Sequence, residues 1–151
     1  MANDNKLLKL SAAALGLGAA YLAHIYRKGK NFLDSIDQVP DTLDRAVLCK
    51  TATVTYPVPV MKDMKIGAFL GHLKADLSDF TFPEGQYDLD ITIAHGSVNI
   101  ILPKNVRLNI TSSGRLDSIY NEAQCTEAEG TVLISVYAKI SHGTLHFETA
   151  V

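Results

Sequence analysis

The chain has 151 residues, of which 47% are hydrophobic. This length fits one domain with a short appendage, and this apolar fraction excludes a wholly disordered chain. Residues 1–30 carry five basic residues and one acidic residue, a net charge of +4, whereas the other 121 residues carry nine basic and fifteen acidic residues, a net charge of −6. The acidic main part disfavours nucleic-acid binding, because it would repel a phosphate backbone.

The first predicted element is a hydrophobic helix within residues 1–30. Residues 10–26 contain no aspartate, glutamate, lysine or arginine, and a helix of that length measures about 25 Å, close to the thickness of a bilayer core. Basic residues flank it at Lys6, at Lys9 and within 27–30, where they can reach lipid headgroups. We therefore expect a single-pass anchor in the cell membrane, with a cytoplasmic domain by the positive-inside rule and an extracytoplasmic domain as the alternative.

Two other interpretations of this helix stay open. A cleaved signal peptide is one, because Gly18, Ala19 and Ala20 satisfy the small-residue rule for cleavage. A helix packed on the domain is the other, since alanine and glycine make the segment only mildly hydrophobic. Residues 31–44 are predicted to form an acidic linker to a main domain at 45–151.

Strand patterns fill residues 45–151. Residues 46–56 are rich in β-branched side chains, and residues 87–93 alternate strictly between apolar and polar. The same alternation returns at 98–102, 106–111 and 132–138. Because no long helical periodicity interrupts these segments, the fold class is predicted to be mainly β.

A turn-and-strand phrase recurs in this domain. Each copy places a glycine two residues before an apolar residue, at Gly71, Gly96, Gly114 and Gly143, and glycine accepts the left-handed backbone of a tight turn. Such recurrence is typical of β-repeat folds. The unequal spacings of 25, 18 and 29 residues leave open a single-stranded β-helix or solenoid and a small twisted sandwich. Uncovered ends of such a stack would favour a homo-oligomer.

The sequence contains few candidates for catalytic or metal-binding residues. His72, His95 and His142 adjoin repeated glycines, and aligned turns could bring three imidazoles together as in a zinc or copper site. Polar turn residues are the better explanation, so neither a metal site nor a cofactor site is predicted. Asp88 and Asp90 share a strand face about 7 Å apart, a spacing that glycosidases use, but no groove of aromatic residues accompanies them. We predict a chain without catalytic residues, and no enzyme.

Four segments carry a family resemblance: AFLGHLKADLSD at 68–79, YDLDITIAHGSVNIILPK at 87–104, VRLNI at 106–110 and GTLHF at 143–147. They resemble the C-terminal domain of LiaF-like proteins, the cell-wall-active antibiotics response family, and more distantly adhesin-type β-repeat domains. The likeness covers about residues 65–149. It implies a β-repeat fold without catalytic residues and a role in bacterial envelope-stress signalling, with a sensor kinase as a protein partner.

Two functions follow from these observations. The first is a membrane-tethered, non-enzymatic interaction or regulatory module, held at the bilayer by residues 10–26. The alternative is a structural scaffold or adhesin-type β-repeat protein that self-associates at the membrane.

Overall fold

The structure, a computed structural model, describes residues 2–36, 44–55, 64–83, 85–114, 118–126 and 131–151, with the side chains of the helix from residue 13 onward. Within these residues one helix, α1 (Ala2–Asp34), precedes ten strands. The strands are β1 (Arg45–Leu48), β2 (Thr51–Thr55), β3 (Met64–Phe69), β4 (His72–Asp76), β5 (Gln86–Ala94), β6 (Gly96–Leu102), β7 (Val106–Gly114), β8 (Ile119–Asn121), β9 (Val132–Ile140) and β10 (Gly143–Thr149). The predicted mainly β class and the N-terminal helix are confirmed.

The strands form two parallel five-stranded sheets. Sheet 1 has the order β1-β3-β5-β9-β7, and sheet 2 has the order β2-β4-β6-β10-β8. Every odd-numbered strand therefore lies in sheet 1, and the even-numbered strand that follows it lies in sheet 2. The chain thus turns from sheet 1 into sheet 2 within each of the strand pairs β1–β2, β3–β4, β5–β6, β7–β8 and β9–β10. We call each of these turns a corner.

The strand order is not fully sequential. The pair β9 and β10 lies between the pair β5 and β6 and the pair β7 and β8. Composition fits this order, because the inward positions of β9 stay apolar through Ala138 and Ile140, whereas their partners in β7 are Ser112 and Gly114. In β7 the inward positions Leu108 and Ile110 are only partly buried. The more apolar strand thus takes the inner position, and the less apolar one takes the edge.

The core lies between the two sheets. Alternate side chains of each strand point inward, as the period of a strand requires, and the largest of those that are fully buried include Ile66, Leu89, Ile91, Leu145 and Phe147. Among the residues that the structure describes, no polar or charged residue is buried as a whole, although single side-chain oxygens of Asn99 and Ser112 are shielded from solvent. Apolar burial therefore supplies the stabilisation of this interior.

Two phenylalanines between β4 and β5 belong to this core. Phe80 and Phe82 are buried and their ring centroids lie 4.6 Å apart. Tyr87 packs beside Phe82 and its hydroxyl donates to the carbonyl of Pro83 at 2.7 Å. The turn after β4 is also ordered by Ser78, whose hydroxyl and backbone N–H hydrogen-bond to the carboxylate of Asp76 and lower its pKa.

Glycines permit close approach of the backbone at the corners. A Cβ atom on Gly71 would collide with the carbonyl of Lys50, one on Gly96 with the carbonyl of Gly71, and one on Gly143 with the carbonyl of Gly96. Lys50, Gly71, Gly96 and Gly143 thus lie one above the other at the corners of β1–β2, β3–β4, β5–β6 and β9–β10. We name this set, three glycines and one lysine, the glycine column. Any side chain at the three glycines would push neighbouring strand pairs apart.

The left-handed backbone falls mainly on the residues before those glycines. Leu70 and His95 both have φ of 52°, His142 has 92°, and Cys49 has 54° at the matching position of the first corner. Among the four predicted turn glycines, positive φ occurs at Gly114, with 134°. A left-handed backbone, which was the predicted reason for a glycine, thus applies at Gly114. At the other three glycines a Cβ atom would collide with the backbone of the neighbouring corner.

The predicted membrane anchor is wrong. Within the described part of the chain, no helix is long and apolar enough to cross a membrane, which overturns both the single-pass span at 10–26 and the assignment to the cell membrane. Alanine and glycine make up much of that segment and contribute little hydropathy. The helix also runs on to Asp34, through the first residues of the predicted linker; linker residues 37–43 lie outside the described residues.

We predict that Gly96→Ala destabilises the fold by about 2 to 3 kcal/mol, because the obstacle to the new methyl group is backbone that cannot rotate away. Gly18→Ala is the matched control, since Gly18 lies in α1 with nothing within 4 Å of an added Cβ. That control should be neutral or stabilising by up to about 1 kcal/mol. Urea unfolding measures both, and equal midpoints for the two variants would contradict the glycine column.

Candidate interaction site

The second half of α1 packs on the outer face of sheet 1. Ile25, 3% exposed, forms a buried cluster with Phe69 and Ala94, the last residues of β3 and β5. Phe32 packs against the same cluster, with its ring centroid 5.4 Å from that of Phe69. Phe69 and Ala94 occupy outward positions of their strands, so the helix covers an apolar patch that the sheet would otherwise expose.

Two glycines allow the helix to approach this closely. A Cβ on Gly29 would lie 2.7 Å from the Cβ of Phe69 and 2.8 Å from Cδ1 of Leu48. A Cβ on Gly67 would lie 2.7 Å from a ring carbon of Phe32. Sequence reasoning missed both residues, because Gly29 sits among basic residues and Gly67 interrupts a strand pattern; a glycine inside a strand is the signal for close backbone approach that could have found Gly67.

A polar contact lies one to two turns earlier in α1. The hydroxyl of Tyr21 is 2.9 Å from Nε2 of His95 and 3.2 Å from Nδ1 of His142. The two imidazole rings stack with centroids 4.8 Å apart and an interplanar angle of 6°, and the Tyr21 ring stands edge-on to both. We name this cluster of three side chains the Tyr21 latch.

The two histidines of the Tyr21 latch lie at adjacent corners of the fold. His95 follows β5 and His142 precedes β10, and each lies directly before a member of the glycine column in the strand pairing. Their left-handed backbone and the close stacking of the glycines place both side chains on the outer side of adjacent corners. The predicted alignment of histidines along one edge thus applies to two of the three residues.

His72 lies apart from the latch. It follows its glycine instead of preceding it, so it starts β4 and faces outward from sheet 2, where its Nδ1 lies 2.7 Å from Oγ of Ser97. Across the described residues, no group of three or more histidine, cysteine, aspartate or glutamate side chains could hold a metal ion.

The hydrogen-bonding capacity of Tyr21 limits the charge of the latch. A phenol donates one hydrogen bond and accepts others, and a neutral imidazole donates from one nitrogen and accepts at the other. The hydroxyl can therefore donate to one ring and accept from the other while at least one ring is neutral. If both rings were protonated, two positive charges at this separation would repel each other by about 1 to 3 kcal/mol, for an effective dielectric constant of about 80 to 20.

The first half of α1 continues past the sheets. Contacts of α1 pass from Leu48 and Phe69 at Gly29 to the corners after β5 and before β10 at Tyr21, so the helix, followed toward its N-terminus, runs in the direction of the edge strand β7. Residues 13–20 are all exposed, with Leu15 at 76% and Leu17 at 74%. We name residues 13–20 the projecting segment; it contains alanine, leucine and glycine and no polar side chain.

The edge at β7 is incompletely covered. Leu108, Ile110 and Ile119 are partly buried hydrophobic residues of the outermost strands, β7 and β8. The hydroxyl of Ser112 is buried without a hydrogen-bond partner. The projecting segment and this edge therefore lie at the same end of the molecule, and both present apolar surface.

Asp88 and Asp90, the two carboxylates that share a strand face, are exposed on the outer face of β5. They lie opposite Ser135 and Tyr137 of β9.

The chain was also compared with known proteins. No family model matches it, and neither a curated protein nor a solved structure is found to be similar to it.

We predict that Phe32→Ala lowers the free energy of unfolding by about 2 kcal/mol, because it removes the partly buried ring that packs on Phe69. Tyr26→Ala is the control: Tyr26 lies on the same helix, is 50% exposed, and should change stability by less than about 0.5 kcal/mol. Both variants gain the same helix propensity, so urea unfolding isolates the docking contact. A similar loss in both would contradict the packing of α1 on sheet 1.

Proposed function

We propose that this chain is a non-enzymatic protein-interaction module that binds its partner through the projecting segment of α1. The observation that carries the proposal is the exposure of an apolar stretch on all sides of a helix whose second half is fixed to the domain. Helices that are apolar all round are normally buried against another surface. A partner that covered Leu15 and Leu17 would gain about 1.5 to 3 kcal/mol for each of them.

The interior of the domain supports a function without catalysis. Catalytic acids, bases and nucleophiles usually sit in clefts with shifted pKa values and buried polar neighbours. Among the described residues no polar or charged residue is buried as a whole, and the buried polar side-chain atoms without a partner are Asn99 Oδ1 and Ser112 Oγ. The exposed Asp88 and Asp90 and the histidines at the corners lie on outer surfaces, which suits recognition and fold stability.

We further propose that the two sheets are faces of a β-helix-like stack of coils in which the fourth and fifth coils exchange places. This architecture agrees with the resemblance of residues 65–149 to LiaF-like C-terminal domains and, more distantly, to adhesin-type β-repeat domains. By that analogy the partner is a regulatory protein such as a sensor kinase of the envelope-stress response. The proposal contains no membrane anchor.

A second candidate function is self-association as a scaffold, and the open edge at β7 favours it. A pair of copies related by a twofold axis would place β7 beside β7 and the projecting segment of each copy along the other. Each copy offers the same two apolar surfaces at one end, which is the self-complementarity that a twofold contact requires. Partly buried Leu108 and Ile110 would then become fully covered.

Site-specific photo-crosslinking in cells tests both candidates. A benzophenone amino acid replaces Leu17, and in the control it replaces Tyr137, which is exposed on the outer face of β9. We expect a discrete covalent product from position 17 and little from position 137, because only position 17 would lie in an interface. The mass of the product identifies the partner class.

Each outcome has a distinct meaning. A product at twice the chain mass of 16.4 kDa would support self-association, and a product that contains a different protein would support the regulatory module. Equal, diffuse crosslinking from positions 17 and 137 would contradict an interface on the projecting segment.

A further inference from the structure

Tyr21 is the link between the docked and the projecting parts of α1. Residues 13–20 are all exposed, whereas Tyr21 hydrogen-bonds to the corners and Ile25 begins the apolar contact with Phe69 and Ala94. The Tyr21 latch is therefore the last contact of α1 with the sheets before the projecting segment. Apolar packing from Ile25 onward does not depend on charge.

The two imidazoles of the latch are accessible to solvent protons. His142 is exposed and His95 is partly exposed, and imidazole is the side chain whose charge changes between about pH 5 and pH 8. The stacked arrangement tolerates one protonated ring, because that ring can donate to the Tyr21 hydroxyl while the hydroxyl donates to the other ring. It opposes two protonated rings, because the charges would face each other across 4.8 Å.

The elements that meet near the latch carry several basic residues at this end of the strands. The elements around it place His24 and Lys28 on α1, Lys50 at the first corner, His72 at the start of β4, and Lys139 next to the end of β9. The carboxylates of the strands concerned lie toward the opposite strand ends: Asp76 on β4, Asp88 and Asp90 on β5, and Glu148 on β10. At about 3.3 Å per residue these are on the order of 13 Å or more from the corners. Among the described residues of these elements, no carboxylate lies near the corners to offset a second positive charge in the latch.

We propose that the Tyr21 latch is a proton-operated release of the projecting segment, so that acidification frees residues 13–20 while the docked half stays in place. The released state binds more protons than the latched state, and a fall in pH therefore favours release. The regulatory meaning of this step rests on the proposed function, since release changes the orientation in which the projecting segment meets a partner. The release itself requires no partner.

Amide hydrogen exchange of the full chain tests the proposal. Protection factors are measured at about pH 8 and about pH 5, so that the intrinsic pH dependence of exchange is removed. We expect protection of peptides within residues 13–24 to fall about tenfold at the lower pH, as repulsion of this size predicts and because an unsupported helix end frays. Peptides of β5 should keep their protection, which shows that the fold is intact.

Three variants separate the latch from general effects of acid. A double variant, His95→Gln and His142→Gln, keeps groups that donate and accept hydrogen bonds but carries no charge, so its protection should be the same at both pH values. Tyr21→Phe removes the hydroxyl and should give low protection already at pH 8. The matched control, His24→Gln with His72→Gln, should retain the pH step of the natural chain.

Two results would overturn the proposal. One is unchanged protection of residues 13–24 in the natural chain between the two pH values. The other is a full pH step in the His95→Gln and His142→Gln variant with β5 still protected. A pH step that depends on these histidines, combined with no crosslinking at position 17, would sustain the latch and refute the interaction module.

Discussion

The close approach of backbone at the corners is the constraint from which the rest of the structure follows. Gly71, Gly96 and Gly143 place an α-carbon where any side chain would strike the carbonyl of the neighbouring corner. This contact keeps successive strand pairs in one register, so that inward residues of both sheets meet in a single apolar core. It also aligns the residues before the glycines on the outside of the corners, which is where His95 and His142 stack.

The helix then uses that outer surface in two ways. From Ile25 onward it covers the apolar strand ends with packing that depends on shape, and Gly29 and Gly67 provide the space. At Tyr21 it makes a hydrogen-bonded contact with the two stacked imidazole rings. The two contacts are adjacent in α1, and the exposed apolar residues 13–20 follow directly on the N-terminal side.

The sequence allowed the β class, most strand segments and the repeated corner glycines to be predicted, since alternation and glycine spacing are local patterns. It did not reveal the exchange of β7 and β9, because that order depends on which strand buries more surface in the assembled core. The sequence also suggested a membrane span at residues 10–26, since an uncharged segment has the same sequence pattern whether it crosses a bilayer or projects from a domain. Only part of the Tyr21 latch could be predicted: the histidines were identified as a possible cluster, but their partner Tyr21 is separated from His95 by 74 residues.

Nuclear Overhauser contacts in the full chain report directly on the docking of α1 on the corners. We expect cross-peaks from the Tyr21 ring to both His95 and His142 above neutral pH, together with cross-peaks between the rings of Phe32 and Phe69. Contacts between Ile93 and Ile140, which are paired in sheet 1, report that the sheets are folded. Folded sheets without any of these helix contacts would show that α1 does not dock on the domain.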